Sequence, residues 1–213
     1  MNEIYFKQSG RKVGTTIIFL HAIGTDGWMW DYFVQQLPDF NCLVPDLPGH
    51  GQSRNVPWVS MEHTALQVKQ MISKYAGNGK AHIVGLSLGS YIGLELMSHS
   101  PEEVESAFLS GLNVLPIPNR WLMNILSTLM RPFMHCDFLI RSNAKMLHIP
   151  EDQYGKYKAA WLQVNRLAFR KISNQAADYR TPPNIGSINC PTLLVAGAKE
   201  HPLVLSSKDD LLS

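Results

Sequence analysis

The sequence predicts an α/β fold with a mostly parallel sheet flanked by helices, and three observations carry that expectation. Short β-rich runs alternate along the chain with stretches of helical periodicity, the pattern of parallel strands joined by crossover helices. One run ends in Gly85-Leu86-Ser87-Leu88-Gly89, where a strand must turn at once into a helix. The alternation then lapses from about residue 114 to 185, which holds helix-like pieces and no clear strand. A long helical insertion between two core strands is the expectation there, and such insertions tend to be functional.

The elements follow in order. "EIYFKQ" suits a first edge strand, and "TTIIFLH" (Thr15 to His21) is apolar and β-branched, as a buried strand should be. After a glycine-rich loop, "MWDYFVQQL" has the spacing of an amphipathic helix stopped before Pro38. "FNCLVPDL" is the next strand and runs into the turn "DLPGHGQS". "SMEHTALQVKQMISKYAG" opens on an N-capping serine, carries apolar residues at helical spacing and stops at Gly77. "KAHIVGL" reads as a strand, "LGSYIGLELMSHS" as a helix halted by Pro101, and "VESAFLSGL" and "CPTLLVAGA" as two further strands. Within the insertion, "NRWLMNILSTLM", "CDFLIRSNAKML" and "YKAAWLQVNRLAFRKISNQAADY" read as helices.

Composition narrows the class. A chain of 213 residues with 45% hydrophobic and 17% charged residues can bury a proper core, which argues against disorder and fibrous architectures. A net charge of +2, with Lys and Arg scattered, gives no footprint for nucleic acid. Three cysteines without close spacing (Cys42, Cys136, Cys190) suggest neither a disulfide framework nor a zinc site, and reduced, cytoplasmic thiols are the simplest expectation. The N-terminus lacks the apolar stretch of a signal peptide. "WLMNILSTLM" is about half the ~20 residues that a bilayer span needs, so no stable membrane span is expected.

Three motifs carry chemistry. In the Gly85–Gly89 turn the central Ser87 is forced into a strained conformation, with its hydroxyl held above the sheet at a helix N-terminus. Glycine is required at 85 and 89 because side chains there would collide with neighbouring elements. A tight turn that merely tolerates serine is the competing reading. "HAIGTDGWMW" follows the second strand, and its loop can bring the backbone N–H of Ile23 beside that of Leu88 as a two-donor oxyanion hole. His21 and Asp26 are expected to shape this loop, and His50 in "DLPGHGQS" to pack rather than to act as a base.

In this order the motifs, with the later strand "PTLLVAGAKE", resemble the α/β-hydrolase superfamily over essentially the whole chain. Within it the chain is similar to capped bacterial esterase-like hydrolases, and "HAIGTDGWMW" also resembles the enol-lactonase branch. The resemblance implies a hydrolase core over residues 1–113 and 186–213 and a helical cap over 114–185. It implies a serine nucleophile, where the dehalogenases and epoxide hydrolases of this fold use aspartate. Acyl transfer then needs no metal or organic cofactor. The expected substrate is a small apolar ester, lactone or related acyl compound. Cap residues Trp121, Leu122, Met123, Leu126, Met130, Phe133 and Met134 are candidates for its acyl pocket, although most should simply pack the cap.

The remainder of a triad runs in the order Ser, acid, His in this fold. Glu200, a few residues past Gly197, stands in the acid's place, whereas the loop after "AFLSGL" offers Asn113 and no carboxylate. Beyond Glu200 the only histidine is its neighbour His201, poorly placed to reach the serine. A closing helix, strand and last helix of roughly 40 residues would be expected next, and "SSKDDLLS" resembles the start of the first of these. The expectation is therefore a C-terminally truncated, weakly active hydrolase. An exposed sheet edge near "TLLVAGA" would then invite pairing with a second copy. The alternative is a ligand-binding or signalling protein that keeps the pocket and turns over little.

Overall fold

A computed structural model describes residues 3–121, 125, 128, 129 and 133–212. Six strands form one sheet: β1 Phe6–Gly10, β2 Thr16–Leu20, β3 Asn41–Pro45, β4 Ala81–Leu86, β5 Val104–Ser110 and β6 Thr192–Val195. Their spatial order is β1-β3-β2-β4-β5-β6. Only β1 is antiparallel, against β3, and every other pairing is parallel. The helices with described bounds are α1 Asp31–Gln35, α2 Met61–Tyr75, α3 Leu88–His99, α4 Asp137–Met146, α5 Tyr154–Gln163, α6 Arg166–Asp178 and α7 Pro202–Leu212.

The alternation of side chains in the strands builds two apolar layers. Ile18, Leu20, Leu43, Ile83, Ala107 and Leu109 face one way, into a cluster shared with Val68 and Ile72 of α2 and Ile92 and Leu96 of α3. Phe19, Cys42 and Val44 face the other way and are covered by Trp30. Burial of these side chains, at roughly 1.5–3 kcal/mol each, is the main force holding the helices on the sheet. Ser60 caps α2 as the sequence predicts, its hydroxyl accepting the His63 N–H at 2.9 Å.

Register makes one edge of the sheet functional. Leu20 pairs with Gly85, Leu86 with Ser110, and Ser110 with Val195. The loops that leave β2, β4, β5 and β6 therefore start level with one another. From β2 the chain crosses to β3 on one side, and from β4 to β5 on the other. The order thus reverses between β2 and β4, and open α/β sheets bind ligands at the carboxyl end of such a switch point.

Two elements differ from the sequence expectation for local reasons. The "MWDYFVQQL" segment is a 3-10 turn, Gly27–Trp30, leading into a short α1, with the Asp26 side chain capping the turn. The long helix expected from Tyr157 to Tyr179 is two helices. Val164 is extended, and Asn165 caps a new start by accepting the N–H groups of Leu167 and Ala168. Between β5 and β6 the described residues hold helices and turns and no strand. Ile140, Ala144, Tyr154 and Tyr157 make a small cluster there, while Ala168, Ile172 and Tyr179 join the main core. Among the described residues β6 is an edge strand, and Leu193 on it is 59% exposed.

The approach of α3 to the sheet depends on glycine. A Cβ on Gly89 would lie 2.1 Å from the Leu20 carbonyl oxygen, and one on Gly85 would lie 2.7 Å from the Gly89 backbone. At Gly93 the nearest atom is the end of the Leu109 side chain, at 2.7 Å. Backbone cannot yield as a methyl group can. Gly89→Ala should therefore lower the unfolding free energy by at least about 2–3 kcal/mol, and Gly93→Ala by much less. Urea denaturation of the two variants checks the ordering, and equal losses would contradict it.

Candidate active site

Ser87 links β4 to α3 with φ 51 and ψ −109. A side chain in that backbone region is costly, about 1–3 kcal/mol, and is held only where its surroundings dictate it. Here the Ser87 N–H donates to the Ser110 carbonyl at 2.8 Å, and the Ser87 carbonyl accepts the N–H groups of Ser90 and Tyr91 as α3 begins. The Ser90 hydroxyl completes the clamp by donating to the Ser110 carbonyl at 2.7 Å and accepting the Ser110 N–H at 2.9 Å. Ser87 itself is half-buried.

The loop after β2, the strand paired with β4, carries Ile23. Three donors converge on the Ala22 carbonyl oxygen: His21 Nδ1–H at 2.9 Å, the Thr25 hydroxyl at 2.7 Å and the Thr25 N–H at 3.3 Å. A trans peptide directs its N–H opposite its C=O, so fixing the Ala22 oxygen aims the Ile23 N–H the other way. Among the described residues neither the Ile23 N–H nor the Leu88 N–H meets an acceptor. Leu88 is the first residue of α3, where backbone N–H groups are left free and the helix dipole favours negative charge.

His21 and His50 shape these loops from beneath. His21 Nε2 accepts the Leu47 N–H at 2.9 Å, which leaves Nδ1 as the donor to Ala22. His50 Nε2 accepts the Gly24 N–H at 3.3 Å, and its Nδ1 faces the Pro48 carbonyl at 3.2 Å. Asp46 joins the same two loops, accepting the Gly27 N–H at 2.9 Å and the Gln52 N–H at 2.8 Å. Burial holds both rings neutral, lowering His21 to about 4 and His50 to about 3. Burial also pushes the Asp26 carboxyl up, against the hydrogen bond it accepts from Trp28.

Glu200 stands in the loop after β6, on the same sheet edge as Ser87. Its Oε1 accepts the Gly197 N–H at 3.4 Å, so the carboxylate folds back onto its own turn. His201 Nδ1 accepts the Leu203 N–H at 3.2 Å at the start of α7. Other histidine rings are engaged away from Ser87: His82 with the Ser106 hydroxyl, His99 with Glu95, and His135 with Arg166. Asn113 lies in a buried net, its N–H on the Tyr91 hydroxyl and its side-chain oxygen accepting from Ser207. Of the apolar cap candidates, Trp121 and Phe133 are exposed, while Leu122, Met123, Leu126 and Met130 lie outside the described residues. Among the described residues no group of three His, Cys, Asp or Glu side chains stands together as a metal site. No described helix is long and apolar enough to cross a membrane.

Sequence reasoning missed the carboxylate of Asp46 as the tie between two loops, although its place at the head of "DLPGHGQS" was a signal. It also missed Ser90 and Trp161. Nothing in the sequence marks either one, because their partners are backbone groups and a ring seat supplied by distant segments.

Residues 17–212 match the profile of the Alpha/beta hydrolase family. The chain belongs to the alpha/beta hydrolase family. It is 33% identical over 111 residues to an AB hydrolase superfamily protein of Gibberella zeae. It is 35% identical over 107 residues to a pimeloyl-acyl-carrier-protein methyl ester esterase of Methylococcus capsulatus. These alignments take in 51% and 50% of this chain, and each spans 39% of the relative's own length. The enol-lactonase of Burkholderia xenovorans superposes with a TM-score of 0.79 at 20% identity, covering 98% of this chain and 83% of that one.

The two buried histidines set a pH dependence. In the unfolded chain each titrates near 6.5, whereas the folded chain refuses the proton down to about 4 for His21 and about 3 for His50. The unfolded state therefore binds more protons below pH 6.5, and stability falls as the pH drops. Between pH 7.5 and pH 5 the loss should be about 2 kcal/mol per histidine. Urea titrations at the two pH values should show the drop, and His50→Gln should reduce it by about half.

Proposed function

We propose that this chain carries the acyl-transfer site of a serine hydrolase acting on a small carboxylic ester, lactone or similar acyl compound. The observation that carries the reading is the Ser87 backbone at φ 51, a strained serine at a strand-to-helix turn on the ligand-binding edge of the sheet. The curated methyl ester esterase among the relatives and the lactonase-like fold support a carbonyl substrate with an alkoxide leaving group.

In this reading the Ser87 oxygen attacks the substrate carbonyl carbon, and the carbonyl electrons move onto oxygen. The Ile23 and Leu88 N–H groups receive that oxyanion. The tetrahedral intermediate collapses, the alkoxide leaves with a proton, and water then hydrolyses the Ser87 ester. Glu200 is the proposed acid of the triad. A histidine has to take the serine proton, and none of those described is bonded to Ser87. Without that base the oxyanion donors still act. Removal of a triad member from serine proteases leaves a residual ~10³–10⁴-fold advantage over water, so feeble turnover by these residues alone is the expected behaviour. A second reading, a ligand-binding protein on the same fold, is favoured by the engagement of the histidine rings elsewhere.

Hydrolysis of short p-nitrophenyl esters, followed with intact-mass detection of an adduct at Ser87, separates the two. The hydrolase reading expects slow turnover that Ser87→Ala abolishes. Turnover indifferent to Ser87→Ala would overturn it. A ligand-induced rise in melting temperature without any turnover would favour the binding reading. Robust Ser87-dependent turnover would mean that a histidine present here already serves as base, and His201→Ala would be the first variant to check it.

A further inference from the structure

Among the described residues, the helices between β5 and β6 meet the loop after β2 at Gly24 and at Trp28. The six-membered ring of Trp161, on α5, occupies the space where a side chain on Gly24 would be: a Cβ there would lie 2.5 and 2.6 Å from two of its carbons. Gly24 has φ +82, so its own backbone also favours glycine. The ring is pinned from behind, since Trp161 Nε1 donates to the Met134 carbonyl at 2.7 Å. It also stands between the rings of Tyr157 and Phe169, at 5.9 and 5.6 Å.

The same cap segment grips the neighbouring loop and the next turn of the oxyanion segment. The Asn165 N–H donates to the Gly49 carbonyl at 2.8 Å. Trp28 packs into the cap cluster of Ile140, Ala144, Tyr154 and Tyr157. Gly24 is thus held on two sides, by the Trp161 ring above and by His50 Nε2 on its N–H. It is joined directly to Ile23, whose N–H is the oxyanion donor in the reading above. Buried polar ties within the core hold the Ala22 side of that peptide, and Trp161 is the contact that reaches the other side from the cap.

We infer that Trp161 is a positioning residue: seated on Gly24, its ring holds the Ile23 N–H in line with Ser87, so that oxyanion stabilisation depends on the cap being in place. The inference rests on the assignment of Ser87 and Ile23 to acyl transfer. Its structural content, that Trp161 immobilises the Ile23–Gly24 backbone, can be tested without turnover. A cap that opens to admit substrate would lift the ring and release the donor, and one that closes over bound substrate would restore it. The loss of one oxyanion donor costs about 10²–10³ in kcat. A donor loosened rather than deleted should cost part of that, about tenfold or more.

Hydrogen exchange of the peptide containing Ile23 and Gly24 should be measured alongside Ser87-dependent ester turnover. The variants are Trp161→Ala, Trp161→Phe and Glu151→Ala. The last removes an exposed ion pair with Arg141, at 2.8 Å, in the same helical segment and leaves the rings around Trp161 in place. Trp161→Ala should speed exchange of the peptide at least tenfold and lower kcat about tenfold or more, with KM within about twofold. Trp161→Phe, which keeps a ring at similar reach, should recover most of both, and Glu151→Ala should leave both near the parent values. Unchanged exchange in Trp161→Ala, or an equal rise in Glu151→Ala, would overturn the inference whatever the activity. Turnover that does not depend on Ser87 in any variant would overturn the hydrolase reading, while the exchange result would still decide whether Trp161 holds the loop.

Discussion

The closeness of α3 to β2 and β4 governs the rest of the architecture. With hydrogen in place of Cβ at Gly85 and Gly89, the helix starts against the Leu20 carbonyl, and the chain has one residue in which to reverse from strand to helix. That residue is Ser87, and its positive φ follows from the lack of room. Hydrogen bonds from Ser87 and Ser90 to the end of β5 then fix the helix start to the next strand. Packing thus supplies the strain at Ser87, its place at the helix start and the free N–H of Leu88 together. A looser helix would lose all three at once.

The loops around this turn are held by polar groups chosen to stay uncharged. His21 and His50 each accept one backbone N–H and face one backbone carbonyl, in full burial. A neutral imidazole can do both jobs with one rigid ring. A charged ring would need a buried counter-ion and could not accept the Leu47 or Gly24 N–H. A lysine or arginine could not substitute, having no acceptor. Because the rings are neutral, they bring no positive charge to these loops, while the start of α3 adds its own partial positive charge beside Ser87.

Much of this was legible in the sequence, and the reason is locality. The Gly-x-Ser-x-Gly turn, the Ser60 cap and the alternating strands depend on residues within a few positions of one another, so spacing alone reveals them. The loop-shaping roles expected of His21 and His50 agree with the backbone bonds their rings make, and His50 was the easier to read because it stands between Gly49 and Gly51. The break at Asn165 was hidden because Val164 and Asn165 interrupt an otherwise continuous helical pattern by a single cap. The Asp46 tie and the Trp161 seat were hidden for a different reason. Their partners are backbone N–H groups and an absent side chain in segments that only the fold brings near.

The same distinction separates the parts of the candidate chemistry. In the proposed reading the nucleophile Ser87 and the donors Ile23 and Leu88 lie on two loops that leave the neighbouring strands β2 and β4, and Trp161 packs on Gly24 beside one of those donors. The proposed acid, Glu200, follows β6, two strands from β4, and its carboxylate accepts an N–H of its own turn. An acid is useful only through the histidine it orients, and that histidine must bridge from the β6 side to Ser87. In that reading charge stabilisation comes from the backbone at the sheet edge, whereas proton transfer requires a side chain delivered across it.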